Sequence, residues 1–508
     1  MNYNNPQVSA IFDYIIKVDG QFDYKQRQHF CLERDKNVEF ILISANENSA
    51  FLLVNKPEKV KINDRVILND KEDKLVTYTK YFGHIINISG ELIYPENVEQ
   101  PNKVYPNNYP IFNLAHNLMS VKRLDKQLYT GINAIDLLIP IGKGQRELII
   151  GDRQTGKTHI ALNAIINQAN NGTKCIYVAI GQKKETITRV YNDLKENNAL
   201  ANTIIIDAPA NSVYDQFLAP YIGMAHAENI SHINDVLIIF DDLTKHANII
   251  REIALLTDKP VGKEAMPSNV FFSHSSLLER SGSFLNRKTI TALPILQTVD
   301  GDIASLISSN IISITDGQIV TSADLFAQGK LPAINLDLSV SRTGSSVQNR
   351  SITKVAGEIG KIYRSYKKHL KLAMIDYDFN KETSILLSKG KAIEKMFNQV
   401  GYNLYSTHLM IFMAKLASWN LLQGVKNDQL AFKFIDLFIN KYEEANKAFE
   451  LMKSGKDYDD EIMKNYFAYA LTQFSDRYNL GWDINYKSPF LPIAQDFWTI
   501  IDNKLGGK

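Results

Sequence analysis

The sequence predicts a multidomain chain in which short strands come first, an α/β region follows, and helices make up the last third. Three observations lead to this fold class. With 508 residues, the chain is too long for one hydrophobic core. Apolar runs without polar alternation recur between about residues 79 and 350, and long amphipathic stretches dominate after residue 351. We therefore expect domains at 1–78, 79–350 and 351–508.

The first region, residues 1–78, has the pattern of short strands separated by turns. Residues 38–43, 50–54 and 65–68 are strand candidates, and asparagine-containing turns such as 46–48 lie between them. Strands at such close spacing are typical of a small barrel or sandwich.

The middle region alternates apolar strands with helical stretches. The strand candidates are 148–150, 175–181, 203–207, 236–241 and 289–297, and helical stretches such as 159–168 and 185–197 lie between them. Continuous apolar runs are expected of strands that are buried on both faces. This order indicates an α/β region with a mostly parallel sheet.

The last region favours helices at 393–399, 409–421 and 429–451. Asn427 and Asp428 form a plausible cap ahead of the third helix. The tail from about Asp457 is rich in aromatic residues, including Trp482 and Trp498. Such a tail is more typical of a core or a partner surface than of a ligand site.

Composition excludes several classes of protein. The formal net charge is +2, so bulk charge does not indicate a nucleic-acid partner. Two cysteines cannot build a disulfide framework, which favours a reducing compartment. The N-terminus lacks a secretory signal, and no run approaches the ~20 apolar residues of a membrane helix. If this protein serves a membrane machine, we expect it to do so from the soluble side.

The strongest functional signal is the segment GDRQTGKT at residues 151–158, which fits the pattern G-x-x-x-x-G-K-[ST]. It lies between a predicted strand and a predicted helix, so backbone amides and the helix N-terminus can face phosphate groups. Lys157 would contact the terminal phosphates of ATP or ADP, and the Thr158 hydroxyl would bind Mg²⁺. The predicted nucleotide-binding residues of this loop are Gly151, Arg153, Gln154, Thr155, Gly156, Lys157 and Thr158.

A second magnesium ligand is expected at the end of a buried strand. The apolar run 236–240 leads into Asp241 and Asp242. Asp241 at the strand tip would hold the magnesium shell, whereas Asp242 is equally well explained as a helix N-cap. Together with the phosphate loop, this strand predicts a RecA-like or related P-loop core.

Further segments resemble the alpha subunit of F-type ATP synthases. In family order, between about residues 81 and 348, they are IPIGKGQRELII, CIYVAIGQK, QFLAPYIGMAHAE, LIIFDDLTKHA, FFSHSSLLERSGSF, TITALPILQTVDGDIASLI, NIISITDGQI and LPAINLDLSVSR. The resemblance implies a β-barrel crown, a RecA-like nucleotide domain and a C-terminal helical bundle. It also implies a ring of alternating alpha-type and beta-type chains around a gamma-type central shaft.

Residue 182 argues against catalysis by this chain itself. In the catalytic beta-type subunits of the family, a glutamate at this place aligns the attacking water, whereas here the residue is Gln182. An amide cannot accept a proton at neutral pH, and loss of a positioned base typically costs ~10²–10⁴ in rate. The alternative is that Gln182 is an ordinary strand-end residue and another acid, such as Glu185, serves.

The resemblance assigns three further residues. It implies that Arg342 crosses to the catalytic site of the neighbouring beta-type subunit as an arginine finger, a role worth ~10³–10⁵ in turnover in other systems. It implies that Ser313 lines the same neighbouring site and that Gln399 lies near the adenine. The alternatives from the residues alone are a surface arginine and a turn-flanking serine.

The sequence departs from the family pattern at two places. The family usually has an N-terminal helix that docks the peripheral stalk, whereas a strand-like pattern begins here by about Ile11. Leu331 also stands where the family has an arginine before the proline. The missing docking helix and the aromatic tail suggest a specialised ATP-hydrolysing head with membrane or cytoskeletal partners, whereas Leu331 suggests weaker or rearranged contacts with the adenine. Divergent F-type-like ATPases of wall-less bacteria, some of them associated with gliding motility, are of this kind.

The sequence therefore predicts a non-catalytic, Mg-ATP-binding, alpha-type subunit that lies on the cytoplasmic side of the cell membrane as part of a complex. One alternative is an ordinary alpha subunit engaged in proton-coupled synthesis. Two others are a self-sufficient hexameric ATPase, such as an export motor or helicase, and a scaffold paralogue whose nucleotide site only stabilises the assembly.

Overall fold

The computed structural model describes residues 6–69, 74–97, 102–373, 381–402, 406–454 and 457–505. The chain forms two compact units. The first contains residues 1–130, 141–329 and 333–343, and the second contains 131–140, 330–332 and 344–508. The predicted fold class is confirmed, because an N-terminal β-barrel, a central α/β sheet and a C-terminal helical region are all present.

The N-terminal barrel is built from six short antiparallel strands in the order β1-β2-β5-β4-β3-β6. Their bounds are β1 Gln7–Phe12, β2 Ile15–Asp19, β3 His29–Leu32, β4 Glu39–Ala45, β5 Ser49–Val54 and β6 Val66–Leu68. Gln7 forms a bridge with Arg65, and the Val66 N–H donates to the Pro6 carbonyl at 2.9 Å. The sheet therefore closes on itself around buried side chains such as Phe30 and Phe40.

A nine-stranded sheet forms the centre of the first unit within the described residues, in the order β19-β18-β13-β17-β16-β14-β15-β8-β9. Its strands are β8 Ile85–Ile86, β9 Leu92–Tyr94, β13 Leu148–Gly151, β14 Lys174–Ile180, β15 Thr203–Ala208, β16 Val236–Asp241, β17 Ile290–Gln297, β18 Gly317–Val320 and β19 Val340–Ser341. Two pairs of two-residue strands complete the strands of this unit within the described residues, namely β7 Lys74–Leu75 with β10 Tyr109–Pro110, and β11 Gln127–Leu128 with β12 Ile141–Gly142.

Strands from β8 to β18 in this sheet run parallel, and β9 and β19 add antiparallel edges. The central strands are almost entirely buried, which explains why their sequences lack polar alternation. The connecting helices are α2 Lys157–Asn170, α3 Lys184–Glu196, α4 Val213–Ser231, α5 Leu243–Leu256, α6 Asn269–Leu278, α7 Leu306–Ile314 and α8 Ala323–Ala327.

The second unit is helical. Its helices are α1 Asn133–Leu138, α9 Arg350–Ala373, α10 Lys381–Phe397, α11 Thr407–Ser418, α12 Asp428–Lys441, α13 Glu443–Lys453, α14 Asp460–Arg477 and α15 Gln495–Leu505. The predicted cap is confirmed, because the Asn427 side chain accepts the Leu430 N–H at 3.1 Å. Trp482 and Trp498 are buried, with 8% and 6% of their surfaces exposed. Within the described residues, no helix combines the length and apolar character that crossing a membrane requires.

All three helix predictions in this unit differ from the structure. The helix expected at 393–399 is the end of α10, which begins at Lys381 and ends at Phe397. The single helix expected at 429–451 is two helices, because Tyr442 is extended with φ −105° and ψ 120°. The Tyr442 ring stacks on Phe438 at 5.1 Å and also contacts Phe497, so the break is favoured by aromatic packing. The helix expected to reach 421 ends at Ser418, since Asn420 adopts a left-handed conformation with φ 61°.

Candidate nucleotide site

The phosphate loop follows the carboxyl end of β13 and leads directly into α2. Gln154 and Gly156 adopt left-handed conformations with φ 63° and 87°, which turn the chain into the first helical residue, Lys157. A methyl group on Gly151 would lie 2.1 Å from the Thr321 hydroxyl oxygen, so only glycine fits where β13 passes this neighbour. The N-terminus of α2, with the positive end of its helix dipole, therefore lies beside the loop, where it attracts anions.

The side chain of Lys157 folds back onto the phosphate loop. Its ammonium donates to the Gly151 carbonyl at 2.9 Å and to the Asp152 carbonyl, and only 8% of the residue is exposed. Burial lowers the pKa of Lys157, and the charges of Asp242, Asp241 and Asp152 oppose that change. A partly desolvated ammonium interacts more strongly with an anionic ligand than one in bulk water.

Two neighbouring strands hold the loop in place. Asp152 accepts hydrogen bonds from the Thr298 hydroxyl at 2.6 Å and from the Gly301 N–H at 2.8 Å, and the first of these is the main cause of its lowered pKa. The Thr155 and Thr321 hydroxyl oxygens are 2.6 Å apart. Thr298 and Thr321 directly follow β17 and β18, the strands on either side of β13. The sequence analysis did not identify these two threonines. Arg153 and Gln154 of the loop are exposed.

The two predicted magnesium ligands are brought together. The Thr158 hydroxyl donates to Asp241 Oδ2 at 2.8 Å, and the Tyr177 hydroxyl donates to the same oxygen at 2.6 Å. Hydroxyl and carboxylate oxygens suit Mg²⁺, which keeps several water or phosphate ligands. Within the described residues there is no cluster of three or more histidine, cysteine, aspartate or glutamate side chains that would hold a metal alone. The donors fit a nucleotide-bound Mg²⁺, which Thr158 and Asp241 would hold.

Gln182 is joined to the same aspartate. Its side-chain NH₂ group donates to Asp241 Oδ1 at 3.0 Å and to the Asp241 carbonyl at 3.1 Å. The turn that brings it there passes through Gly181, with φ 58°, whose carbonyl accepts the Lys245 ammonium at 2.8 Å. Glu185 is exposed in the first turn of α3.

Two further residues lie next to the Asp241 carboxylate. The sequence left the role of Asp242 open and did not predict a role for Tyr177. Asp242 caps α5 by accepting the Lys245 N–H at 2.9 Å, which agrees with the N-cap alternative. Burial, reinforced by the charge of Asp241, raises the pKa of Asp242 to about 6. Tyr177 was missed, although a tyrosine inside an otherwise aliphatic strand is a signal that a polar group reaches a buried partner.

Arg342 lies at a different edge of the sheet, beside Ser313. Its guanidinium donates to the Thr315 carbonyl at 3.1 Å and to the Ile312 carbonyl at 3.4 Å, and the side chain is exposed. Ser313 is exposed on the last turn of α7, where its hydroxyl donates to the Asn310 carbonyl at 2.6 Å. The two residues that resemble a lining of the neighbouring catalytic site are therefore close together.

The phosphate loop and Arg342 lie at opposite ends of β13. The Arg342 N–H donates to the Asp316 carbonyl at 2.9 Å, and the Asp316 N–H donates to the Arg146 carbonyl at 2.8 Å. Arg342 is therefore level with Arg146, which precedes the amino end of β13, whereas the loop begins at Gly151. The five-residue step from Arg146 to Gly151 spans about 16 Å at about 3.3 Å per residue.

Gln399 belongs to the second unit. Its side-chain amide donates to the Gly131 carbonyl at 2.9 Å and accepts the Asn133 N–H at 2.7 Å, and 5% of the residue is exposed. These contacts give Gln399 a structural role in holding residues 131–133. Its predicted place near the adenine remains a prediction.

Comparison with known proteins shows which family this chain resembles. Residues 131–341 match the ATP synthase alpha/beta family, nucleotide-binding domain, and residues 348–474 match the ATP synthase alpha/beta chain, C terminal domain. ATP synthase subunit alpha 2 of Mycoplasmopsis pulmonis is 42% identical over 484 residues, which cover 93% of each chain.

Two further relatives bear the same kind of name. ATP synthase subunit alpha of Halorhodospira halophila is 40% identical and covers 70% of this chain and 72% of its own. ATP synthase subunit alpha of Histophilus somni is 35% identical and covers 94% of this chain and 95% of its own. The chain therefore belongs to the ATP synthase alpha/beta family, among its F-type alpha subunits.

Proposed function

We propose that this chain binds Mg-ATP or Mg-ADP without rapid turnover and donates Arg342 to the catalytic site of a neighbouring beta-type subunit. The observation that carries the proposal is the separation of Arg342 from the chain's own phosphate loop. Because the two lie at opposite ends of β13, the exposed guanidinium cannot serve the nucleotide held by Lys157. It is available to a nucleotide on another chain.

The low turnover of the chain's own site follows from the chemistry of Gln182. Its amide already donates to Asp241, and an amide has no basic lone pair with which to accept a proton from water. Lys157 and Thr158 would bind the phosphates and the metal, and Mg²⁺, when bound, neutralises part of the phosphate charge. In the part of the chain that the structure describes, the site therefore has groups for holding a nucleotide, and an amide stands where a base would be needed.

The proposed action of Arg342 in trans depends on its fixed orientation. Its described hydrogen bonds go to neutral carbonyl oxygens, so its full positive charge remains available. A planar guanidinium fork matches the oxygens of a phosphoryl group in transfer better than an ammonium does. Ser313, on the helix that supplies the Ile312 carbonyl, would lie against the same neighbouring site.

The partners follow from family membership. We infer an alternating head of this chain with a beta-type subunit around a gamma-type shaft, on the cytoplasmic side of the cell membrane. A specialised, ATP-hydrolysing head with membrane or cytoskeletal partners remains a prediction of the sequence. Affinity purification of the complex tests it, because recovery of a conventional delta-type stator subunit would count against such a head.

The first test measures ATP hydrolysis by the reconstituted complex with its beta-type partner. Arg342→Ala is expected to lower kcat by about 10³-fold or more, as for other arginine fingers. Arg189→Ala, which removes an exposed arginine from α3, is the matched control and should leave kcat unchanged. Unaltered turnover of the Arg342→Ala complex would refute the proposed function.

A further inference from the structure

A buried carboxyl group lies behind the strand that carries Arg342. Glu147 is 0% exposed and immediately precedes β13. Its Oε2 accepts a hydrogen bond from the Gln145 side-chain amide at 2.7 Å. The same amide nitrogen donates to the Ser341 hydroxyl at 3.1 Å, and Ser341 is the residue directly before Arg342. One amide therefore joins the buried carboxyl to the end of β19.

The backbone between them is shaped to admit this carboxyl. Gly317 pairs with Ser341 across β18 and β19. A methyl group on Gly317 would lie 2.5 Å from Glu147 Oε2 and 2.3 Å from the Val340 carbonyl oxygen. Any other residue at position 317 would displace either the carboxyl or β19. The absence of a side chain at this position is therefore what lets Glu147 pack against the strand that ends at Arg342.

Arg146, which lies between Gln145 and Glu147 in the sequence, also contacts a residue that is bonded to Arg342. Its guanidinium makes two hydrogen bonds to the Asp316 carboxylate, at 3.0 and 2.7 Å. The Asp316 carbonyl in turn accepts the Arg342 N–H at 2.9 Å. Gln145 thus contacts the end of β19, Arg146 contacts Asp316 directly before β18, and Glu147 lies beside Gly317 of β18. Because β13 lies between two paired strands in the sheet, these contacts have a rigid support.

Glu147 also has an unused acceptor. Among the described residues, no group donates a hydrogen bond to its Oε1, although the atom is buried. Burial raises the pKa of Glu147 well above its usual range, and the nearby charges act in opposite directions, since Asp316 raises that pKa and Arg342 lowers it. A buried acceptor without a donor is unfavourable for stability. Folding alone therefore does not explain a glutamate at this position.

We propose that Glu147, acting through Gln145 and Ser341, is a positioning residue that fixes Arg342 for phosphoryl transfer on the neighbouring subunit. The proposal rests on the proposed function of Arg342. It assigns no contact between Glu147 and a nucleotide. Its consequence is that removing the carboxyl misplaces the guanidinium, and a displacement of about 1 Å at a catalytic group can cost about 100-fold in rate.

The test is a double-mutant cycle on the reconstituted complex. Glu147→Ala is expected to lower kcat between 10- and 100-fold while leaving KM for ATP within about twofold. Glu147→Gln keeps an oxygen that can accept from Gln145, so it should retain most of kcat. In the Arg342→Ala background, a Glu147→Ala change should have no further effect, because a positioning residue acts only through the group it positions.

A second pair of variants covers the case in which Glu147→Ala does not fold. Ser341→Ala removes the hydroxyl that Gln145 contacts without opening a cavity at Glu147, and it should lower kcat by about 3- to 10-fold. Gln318→Ala, in the same strand pair but outside this link, is the control and should be neutral.

The two proposals fail in different ways. If Arg342→Ala leaves turnover intact, the proposed function is wrong. If Arg342→Ala lowers turnover but the Ser341→Ala loss is absent, or is equally large without Arg342, the positioning role of Glu147 is overturned.

Discussion

The two ends of β13 differ in what they hold and in what they expose. At the carboxyl end, Lys157 donates to the loop backbone, Thr158 donates to Asp241, and the Gln182 amide donates to the same aspartate. At the amino end, Arg342 is exposed and is supported by the buried Glu147 through intermediate contacts. Under the proposed function, the groups that hold a nucleotide and the group that assists hydrolysis differ, and β13 keeps them apart.

The largest effect at the carboxyl end is expected from Lys157. Lys157→Ala removes the charge that the phosphate loop holds, and loss of a charge-assisted contact of about 1.5–3 kcal/mol weakens binding by about 10- to 100-fold. Equilibrium binding of labelled Mg-ATP to the complex, with the beta-type sites already filled, measures this change. Lys195→Ala, an exposed position on α3, is the control.

The Lys157 variant also tests whether the two ends of β13 have different roles. If the chain's own site only holds a nucleotide, the Lys157→Ala complex should keep far more turnover than the Arg342→Ala complex. Equal losses of kcat in the two variants would mean that the carboxyl end takes part in the chemistry.

A smaller effect is expected from Tyr177. Tyr177→Phe removes the hydroxyl that donates to Asp241 at 2.6 Å and should raise the Kd for Mg-ATP by about 10-fold, since hydrogen bonds to charged groups contribute about 1.5–3 kcal/mol. Titration with Mg²⁺ at fixed ATP should show the same loss. Tyr221→Phe, which loses a hydrogen bond to the Ser273 carbonyl at 3.2 Å, should bind normally. If the Tyr177→Phe complex bound Mg-ATP with normal affinity, the Tyr177 hydroxyl would have no role in nucleotide binding.

The smallest effect concerns stability at the carboxyl edge of the sheet. Asp207, near the end of β15, has a buried Oδ1 without a hydrogen-bond partner among the described residues. Burial, with a contribution from Asp215, raises its pKa to about 6, above the ordinary value of 3.8. The folded chain therefore retains this proton more tightly than the unfolded chain, and its stability falls as pH rises from about 4 to about 6.

Asp207→Asn removes this penalty. The variant should have an unfolding temperature about 2 °C higher than the wild type at pH 8, with a smaller difference at pH 4.5. Differential scanning fluorimetry at the two pH values measures it, with the exposed Asp337→Asn as control. A difference that grows toward low pH would contradict the assigned sign.

Features that depend on neighbouring residues could be predicted from the sequence more fully than features that depend on contacts between distant residues. The phosphate loop is a contiguous motif, and Asp241 ends a recognisable apolar strand, so both could be proposed from neighbouring residues. Thr298, Thr321 and Glu147 could not, because their roles depend on β13 lying between β17 and β18, which follow it much later in the chain. Sheet order is set by packing of the whole domain and leaves little signal in any one segment.

The helix break at Tyr442 was missed for a related reason. Apolar residues continue at helical spacing through α12 and α13, and both helices bury residues of the same core, such as Phe438 and Phe449. The hydrophobic pattern therefore passes through the break without interruption. At the break, the Tyr442 ring contacts Phe438 and also Phe497, which lies far away in the sequence.

The claim that Arg342 acts on a neighbouring subunit is tested most directly by trapping a transition-state analogue. The complex is incubated with Mg²⁺, ADP and fluoroaluminate, and the analogue retained on the beta-type subunit is measured. Because an arginine finger stabilises charge that develops during transfer, the wild-type complex should retain the analogue. The Arg342→Ala complex should lose it while still binding ADP. Equal retention by both complexes would contradict the account.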